Sequence, residues 1–146
     1  MEKTTSSHKV NKKNFTNVYP ILYSSQVQCG FPSPAEDYIE TPLDLNEHLI
    51  SKPAATFFVK AKGDSMIGAG IYEGDLVIID RSKSALNNHV VLAVLNGEFT
   101  LKRLQKSRGQ VWLHPENQKY KSIQITNEMD FQIWGVVTYT IHKHLG

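Results

Sequence analysis

The chain has 146 residues, a length that favours one globular domain with a modest tail. Hydrophobic residues make up 40% of it, which is ordinary for a soluble domain, and no apolar run reaches the roughly 18 residues that a membrane span needs. The formal net charge of +2 is too small to indicate nucleic-acid binding by charge alone.

Cysteine usage and the N-terminus indicate a cytoplasmic protein. Cys29 is the single cysteine, so no intramolecular disulfide framework can form, as expected in a reducing compartment. The first 15 residues lack the apolar stretch of a secretory signal. No cysteine and histidine cluster has the spacing of a zinc finger, and we expect neither a metal nor another cofactor.

Charge is distributed unevenly along the chain. Residues 1–29 contain four lysines and one glutamate, a charge of +3, which leaves −1 for residues 30–146 because the whole chain carries +2. A basic tail of this kind can simply be solvated. Removing it, however, would reverse the sign of the molecule's charge.

The first third of the chain is predicted to be an extended arm. Residues 1–14 are polar and without periodicity, which predicts disorder, and residues 15–29 read as an extended segment able to dock on a surface. Residues 30–42 contain a glycine and three prolines and therefore predict a linker. We expect residues 1–42 to form a flexible arm with its linker, and residues 43–146 to form a β-rich domain.

A short helix is predicted at the start of that domain. Asp44 can cap it, and Glu47 follows three residues later, as in a capping box. Leu45 and Leu49 would share one face of the helix.

Strands dominate the rest of the chain. The segments that alternate or form short apolar runs are TFFVKAK (56–62), DLVIID (75–80), HVVLAVL (89–95), EFTLKRL (98–104), QVWLH (110–114), SIQIT (122–126) and FQIWGVVTYTI (131–141). Asn96-Gly97 predicts a tight hairpin, and Gly135 inside the last run predicts a bulge or a corner. The sequence therefore predicts a mainly β fold of rolled or barrel-like sheets, antiparallel or mixed.

Ser65 is the candidate nucleophile. It follows a predicted strand within the glycine-rich KGDSMIGAGIYEGD, where free backbone N–H groups could form an oxyanion hole. The alternative is a serine that caps a helix or sits in a turn. A GDSL-type esterase is disfavoured, because neither His142 nor His144 has an acidic residue three positions before it.

Lys102 is the candidate base, since no G-x-S-x-G elbow accompanies the serine. Strand alternation places Thr100 and Lys102 on one face of the predicted strand, and Leu101 on the other. A lysine accepts a proton only when it is neutral, so burial would have to lower its pKa from about 10.4. The alternative is a strand lysine that faces solvent.

Five segments together resemble the UmuD family and, more distantly, the self-cleaving domain of LexA-type repressors. They are VQCGFPSPAEDYIE, FFVKAKGDSM, GDLVIID, NGEFTLKRL and WGVV. The resemblance runs from about residue 26 to residue 141, with the cleavage dipeptide, the serine and the lysine in the family's order. It implies a peptidase fold like that of LexA and signal peptidase. It further implies that Ser65 is the nucleophile, Lys102 the general base and Cys29-Gly30 the scissile bond.

The resemblance also implies a biological setting. A member of this family is a homodimer in the SOS response to DNA damage. It removes its own arm when a RecA filament on single-stranded DNA stimulates it. The trimmed product then joins a UmuC-type Y-family polymerase in error-prone translesion synthesis, without a membrane and with only indirect contact to DNA. The basic N-terminal stretch MEKTTSSHKVNKKN looks longer than the family needs.

Three alternatives use the same residues differently. A β-rich dimer could regulate a polymerase without ever cutting itself. A LexA-like repressor would need a helix-turn-helix ahead of the cleavage site, and residues 1–29 show no such helical pattern. A signal peptidase would use the same dyad on other proteins, and the sequence contains no membrane anchor.

Overall fold

The computed structural model describes residues 18–32, 34 and 39–146. The chain divides into two compact units, Met1–His48 and Leu49–Gly146, and each is described by itself. The stretch predicted to be disordered, residues 1–14, lies outside the described residues. No helix in the described part of the chain is long and apolar enough to cross a membrane.

The N-terminal unit contains a small antiparallel sheet that the sequence did not predict. Strand β1 (Ile21–Tyr23) pairs with β2 (Glu40–Pro42) over three residues. A backbone bond from Leu43 N–H to the Pro20 carbonyl, at 2.8 Å, extends the ladder at one end. Every residue of both strands is exposed, so neither strand shows the alternation by which a half-buried strand is recognised.

The predicted short helix is present as α1 (Leu45–Leu49). The Asp44 carboxylate accepts hydrogen bonds from the backbone N–H groups of Asn46, at 3.0 Å, and Glu47, at 3.4 Å. Asp44 is therefore the N-cap, as the sequence predicted, because its side chain satisfies donors that the first turn leaves free. No residue of the helix is buried.

The C-terminal unit is built on one seven-stranded sheet. Its strands are β3 (Thr56–Lys60), β4 (Leu76–Asp80), β5 (Val90–Leu95), β6 (Glu98–Ser107), β7 (Gln110–His114), β8 (Ile123–Ile125) and β9 (Phe131–Ile141). They lie in the order β3-β4-β9-β5-β6-β7-β8, and each pairing is antiparallel. The predicted mainly β fold is confirmed.

Two hydrophobic clusters cover the sheet. The first contains Ala61, Met66, Ile71, Val77, Ile79 and Leu92, and the second contains Val91, Ala93, Leu104, Leu113 and Val136. Along β5, Leu92 belongs to the first cluster and its neighbours Val91 and Ala93 to the second. Alternating side chains of one strand thus contribute to both clusters, because successive side chains of a β-strand point to opposite faces of the sheet.

Gly97 and Gly135 have the backbone roles that the sequence predicts for them. Asn96 and Gly97 have φ values of 49° and 81°, so the β5–β6 turn needs both residues in the left-handed region. The register between β5 and β9 shifts where Leu92 faces Gly135, which is the predicted bulge. A Cβ at Gly135 would lie 2.5 Å from Ile79 Cγ2, so only glycine allows this close approach.

Candidate active site

Ser65 lies in the loop between β3 and β4, residues 61–75, which we call the serine loop. The loop is closed at its base, since Ala61 N–H donates to the Asp75 carbonyl at 2.9 Å and Gly74 N–H donates to the Ala61 carbonyl at 2.8 Å. Met66, the residue after the serine, is buried in the first hydrophobic cluster. The serine is therefore held on a packed loop rather than a loose one.

The backbone around Ser65 offers unpaired donors. Ser65 and Met66 form the turn that leads into a 3-10 helix (Ile67–Ala69), which ends at Gly70 with a φ of 78°. The N–H groups of Ser65 and Met66 have no hydrogen-bond partner within the described part of the chain. Adjacent free N–H groups beside a hydroxyl are the kind of donors that stabilise an oxyanion.

Lys102 lies on β6, and its amine contacts the serine. Nζ is 3.2 Å from Ser65 Oγ, 2.7 Å from Thr100 Oγ1 and 3.1 Å from the Leu101 carbonyl oxygen. A neutral amine has two N–H donors and one lone pair. The three partners account for these groups if Nζ donates hydrogen bonds to Thr100 and Leu101 and accepts a hydrogen bond from the Ser65 hydroxyl.

The environment of Lys102 favours the neutral amine. The side chain is half-buried, and burial lowers its pKa below the ordinary value of 10.5. Desolvation acts in this direction because it disfavours the charged form of a lysine. No carboxylate bonds to Nζ among its three partners, so no opposite charge in direct contact restores the ammonium form.

An apolar cleft adjoins the pair. It has a volume of about 520 Å³, and Ser65 and Lys102 both line it. Its aromatic wall is built by Trp134, whose ring meets Phe57 and Phe99 edge-on at centroid distances of 6.5 and 5.0 Å. A cleft of this size and character can hold an extended peptide with small or apolar side chains.

The predicted cleavage dipeptide belongs to the N-terminal unit. Cys29 and Gly30 lie between β1 and β2, and both are exposed. Cys29 is a free thiol, and a Cβ at Gly30 would meet nothing within 4 Å. The dipeptide is thus sterically open within its own unit, and its role as scissile bond stays a prediction.

Thr100 is the contact that the sequence did not assign. Strand alternation predicts that Thr100 shares a face with Lys102, and the hydrogen bond between the two side chains follows from that two-residue spacing. Nothing in the sequence marked the hydroxyl as an amine partner.

Among residues 18–32, 34 and 39–146, no group of three or more His, Cys, Asp or Glu side chains could hold a metal ion.

Together, the antiparallel β domain, the serine on a packed loop and the half-buried amine define a protein of the serine peptidase class. Comparison with known families agrees, because the Peptidase S24-like family matches residues 20–138. The chain belongs to that family.

Individual relatives confirm the resemblance to the UmuD family. The chain is 45% identical to Protein SamA of Salmonella typhimurium over 122 residues, which cover 84% of each chain. It is 44% identical to Protein ImpA of Escherichia coli over 124 residues, covering 84% of this chain and 83% of that one. The LexA repressor of Shewanella denitrificans is 37% identical over 100 residues, 68% of this chain and 48% of the repressor.

Proposed function

We propose that this protein is a self-cleaving serine peptidase that removes its own arm between Cys29 and Gly30. The observation that carries the proposal is the 3.2 Å contact between Lys102 Nζ and Ser65 Oγ, made by an amine whose pKa burial lowers. A base within hydrogen-bond reach of a nucleophile is the geometry that general-base catalysis requires.

The proposed reaction has two stages. Neutral Lys102 takes the Ser65 hydroxyl proton while Oγ bonds to the Cys29 carbonyl carbon, and the ammonium then protonates the Gly30 amine as the peptide bond breaks. Water, deprotonated by the same amine, attacks the resulting ester. The C–Oγ bond then breaks, the Lys102 ammonium returns the proton to Ser65 Oγ, and residues 1–29 leave with a new terminal carboxylate. The N–H groups of Ser65 and Met66 are the candidate donors to the oxyanion.

We further propose the setting that the family resemblance implies. The chain acts as a cytoplasmic homodimer in the SOS response, and RecA on single-stranded DNA stimulates the cut. The 30–146 product serves a UmuC-type Y-family polymerase in translesion synthesis. The charge change from +2 to −1 supports a change of partner on cleavage, since removing a basic arm alters the surface that partners meet.

The test is conversion of the purified full chain in the presence of an activated RecA filament. We expect a fragment whose mass equals Gly30–Gly146. Ser65→Ala and Lys102→Ala should abolish conversion, whereas Lys106→Ala should not, because Lys106 is an exposed lysine on the same strand. Conversion by Ser65→Ala would show that this serine is not the nucleophile. A wild-type chain that never converts would indicate a binding module instead.

A further inference from the structure

A short segment between β7 and β8 forms hydrogen bonds with the backbone of the serine loop. We call residues 116–120 the clamp segment. Glu116 N–H donates to the Ser65 carbonyl at 2.8 Å, and Gly68 N–H donates to the Glu116 carbonyl at 2.8 Å. One residue therefore bonds the main chain on both sides of Met66. A Cβ at Gly68 would lie only 2.6 Å from the Glu116 carbonyl oxygen, so the contact requires glycine there.

The clamp segment also fixes the residue that precedes the serine. Asn117 Nδ2 donates to the Asp64 carbonyl at 2.9 Å, and Asn117 Oδ1 accepts from Lys119 N–H at 3.0 Å, which sets the orientation of the amide. The Asp64 carboxylate accepts a hydrogen bond from the Tyr120 hydroxyl. The hydrogen bond from Tyr120 is the largest cause that lowers the pKa of Asp64, and the nearby Lys119 charge lowers it further. The main chain is thus held at Asp64, Ser65 and Gly68 by one segment.

The clamp segment is tied in turn to the strand that carries the base. Arg103, the residue after Lys102 on β6, forms a salt bridge with the Glu116 side chain. Both side chains are only 30% exposed, and Arg103 also donates to the Asn88 carbonyl. Besides the packing of Leu101 against the first hydrophobic cluster, two polar routes join β6 to the serine loop in the described part of the chain. One is the direct contact of Lys102 with Ser65, and the other runs through Arg103 and Glu116.

We propose that Arg103 and Glu116 are positioning residues that set the distance between Lys102 Nζ and Ser65 Oγ. Neither side chain contacts the reacting atoms. The salt bridge positions β6 relative to the serine loop because the Glu116 side chain bonds to Arg103 on β6, while the Glu116 main chain bonds to Ser65. An error of about 1 Å in such a distance can cost on the order of a hundredfold in rate. This inference rests on the proposed peptidase function.

The test compares Glu116→Ala with Glu116→Gln, since glutamine can still accept from the Arg103 guanidinium. We expect Glu116→Ala to lower the self-cleavage rate about ten- to a hundredfold across the pH range. Glu116→Gln should lie within about threefold of wild type. The pH dependence should keep its midpoint in both variants, because the burial of Lys102 is unchanged. A role confined to stability would lower the melting temperature without lowering the rate of the folded protein.

A double-mutant cycle shows whether the two residues act as one device. Arg103→Met should reproduce the loss seen in Glu116→Ala, and the double variant should lose no more than either single variant. Lys119→Ala is the matched control, because the Lys119 side chain is 77% exposed and its amine lies 3.7 Å from the Asp64 carboxylate. Its rate should stay within about twofold of wild type. Additive losses, or a Glu116→Ala variant that cuts at the wild-type rate, would overturn the proposal.

A second readout separates this inference from the proposed function. Modification of Ser65 by a fluorophosphonate depends on activation of the hydroxyl but not on cleavage of the arm. If the wild-type chain fails to cut itself but labels at Ser65, the same variants are compared by labelling rate, with the same expected ratios. If Glu116→Ala does not fold, Arg103→Met and its labelling rate decide the outcome.

Discussion

The protonation state of Lys102 should set the rate of self-cleavage, and a single carboxylate placed beside it should shift that rate predictably. Thr100 Oγ1 lies 2.7 Å from Nζ. Thr100→Asp would therefore place a negative charge against the amine. An opposite charge at this range favours the ammonium form and raises the lysine pKa by about 1–3 units. Thr100→Asn is the matched control, with similar size, an oxygen acceptor and no charge.

The magnitude follows from the neutral fraction of the amine. Below its pKa, this fraction falls tenfold for each pH unit, so wild-type cleavage should rise with pH until Lys102 is largely deprotonated. At a fixed pH on that rising limb, Thr100→Asp should cleave about ten- to a thousandfold more slowly than Thr100→Asn. The two profiles should have the same shape and differ by a shift along the pH axis.

The assay is the first-order rate of appearance of the 30–146 fragment without an activator, followed by mass spectrometry between pH 7 and pH 10. Circular dichroism at each pH verifies that the variants remain folded. A wild-type rate that is flat over this range would refute the lysine-base argument. Superimposable profiles for Thr100→Asp and Thr100→Asn would refute it equally, because they would show that a charge beside Nζ has no effect.

Two further predictions concern stability. Gly135→Ala should lower the free energy of unfolding by about 1–3 kcal/mol in a urea titration, because its Cβ would meet fully buried Ile79; an unchanged midpoint would contradict the close packing seen there. Lys102→Met should raise stability at pH 7. Burial lowers the pKa of Lys102 in the folded chain below its ordinary value of 10.5. Between these two pKa values the unfolded chain binds more protons than the folded chain, so the free energy of unfolding rises with pH over that interval. The methionine variant should lose that component of the pH dependence, and a retained slope would assign it to another group.

The large sheet could be predicted from sequence because its strands carry local signals. Asn96-Gly97 fixes one hairpin, and the strand at residues 76–80, apolar except for Asp80, is buried at four of its five positions. The pairing of β1 with β2 could not be predicted. Its strands are three residues long, lie 16 residues apart and are exposed throughout, so neither periodicity nor burial marks them. The ladder depends on contacts across the chain, which a local pattern does not contain.

The candidate site shows the same division between local signal and distant contact. Glycines around Ser65 and alternation around Lys102 indicate a turn and a strand, and each residue taken alone favours an ordinary structural role over catalysis. What joins them is long-range: the two side chains lie 37 positions apart in sequence, and their contact depends on β6 lying against the first hydrophobic cluster. The Arg103–Glu116 bridge adds a second long-range link that no motif indicates. A dyad of this kind is a property of the packed sheet, and substitutions that move β6 relative to the serine loop should impair it even when both reacting residues are intact.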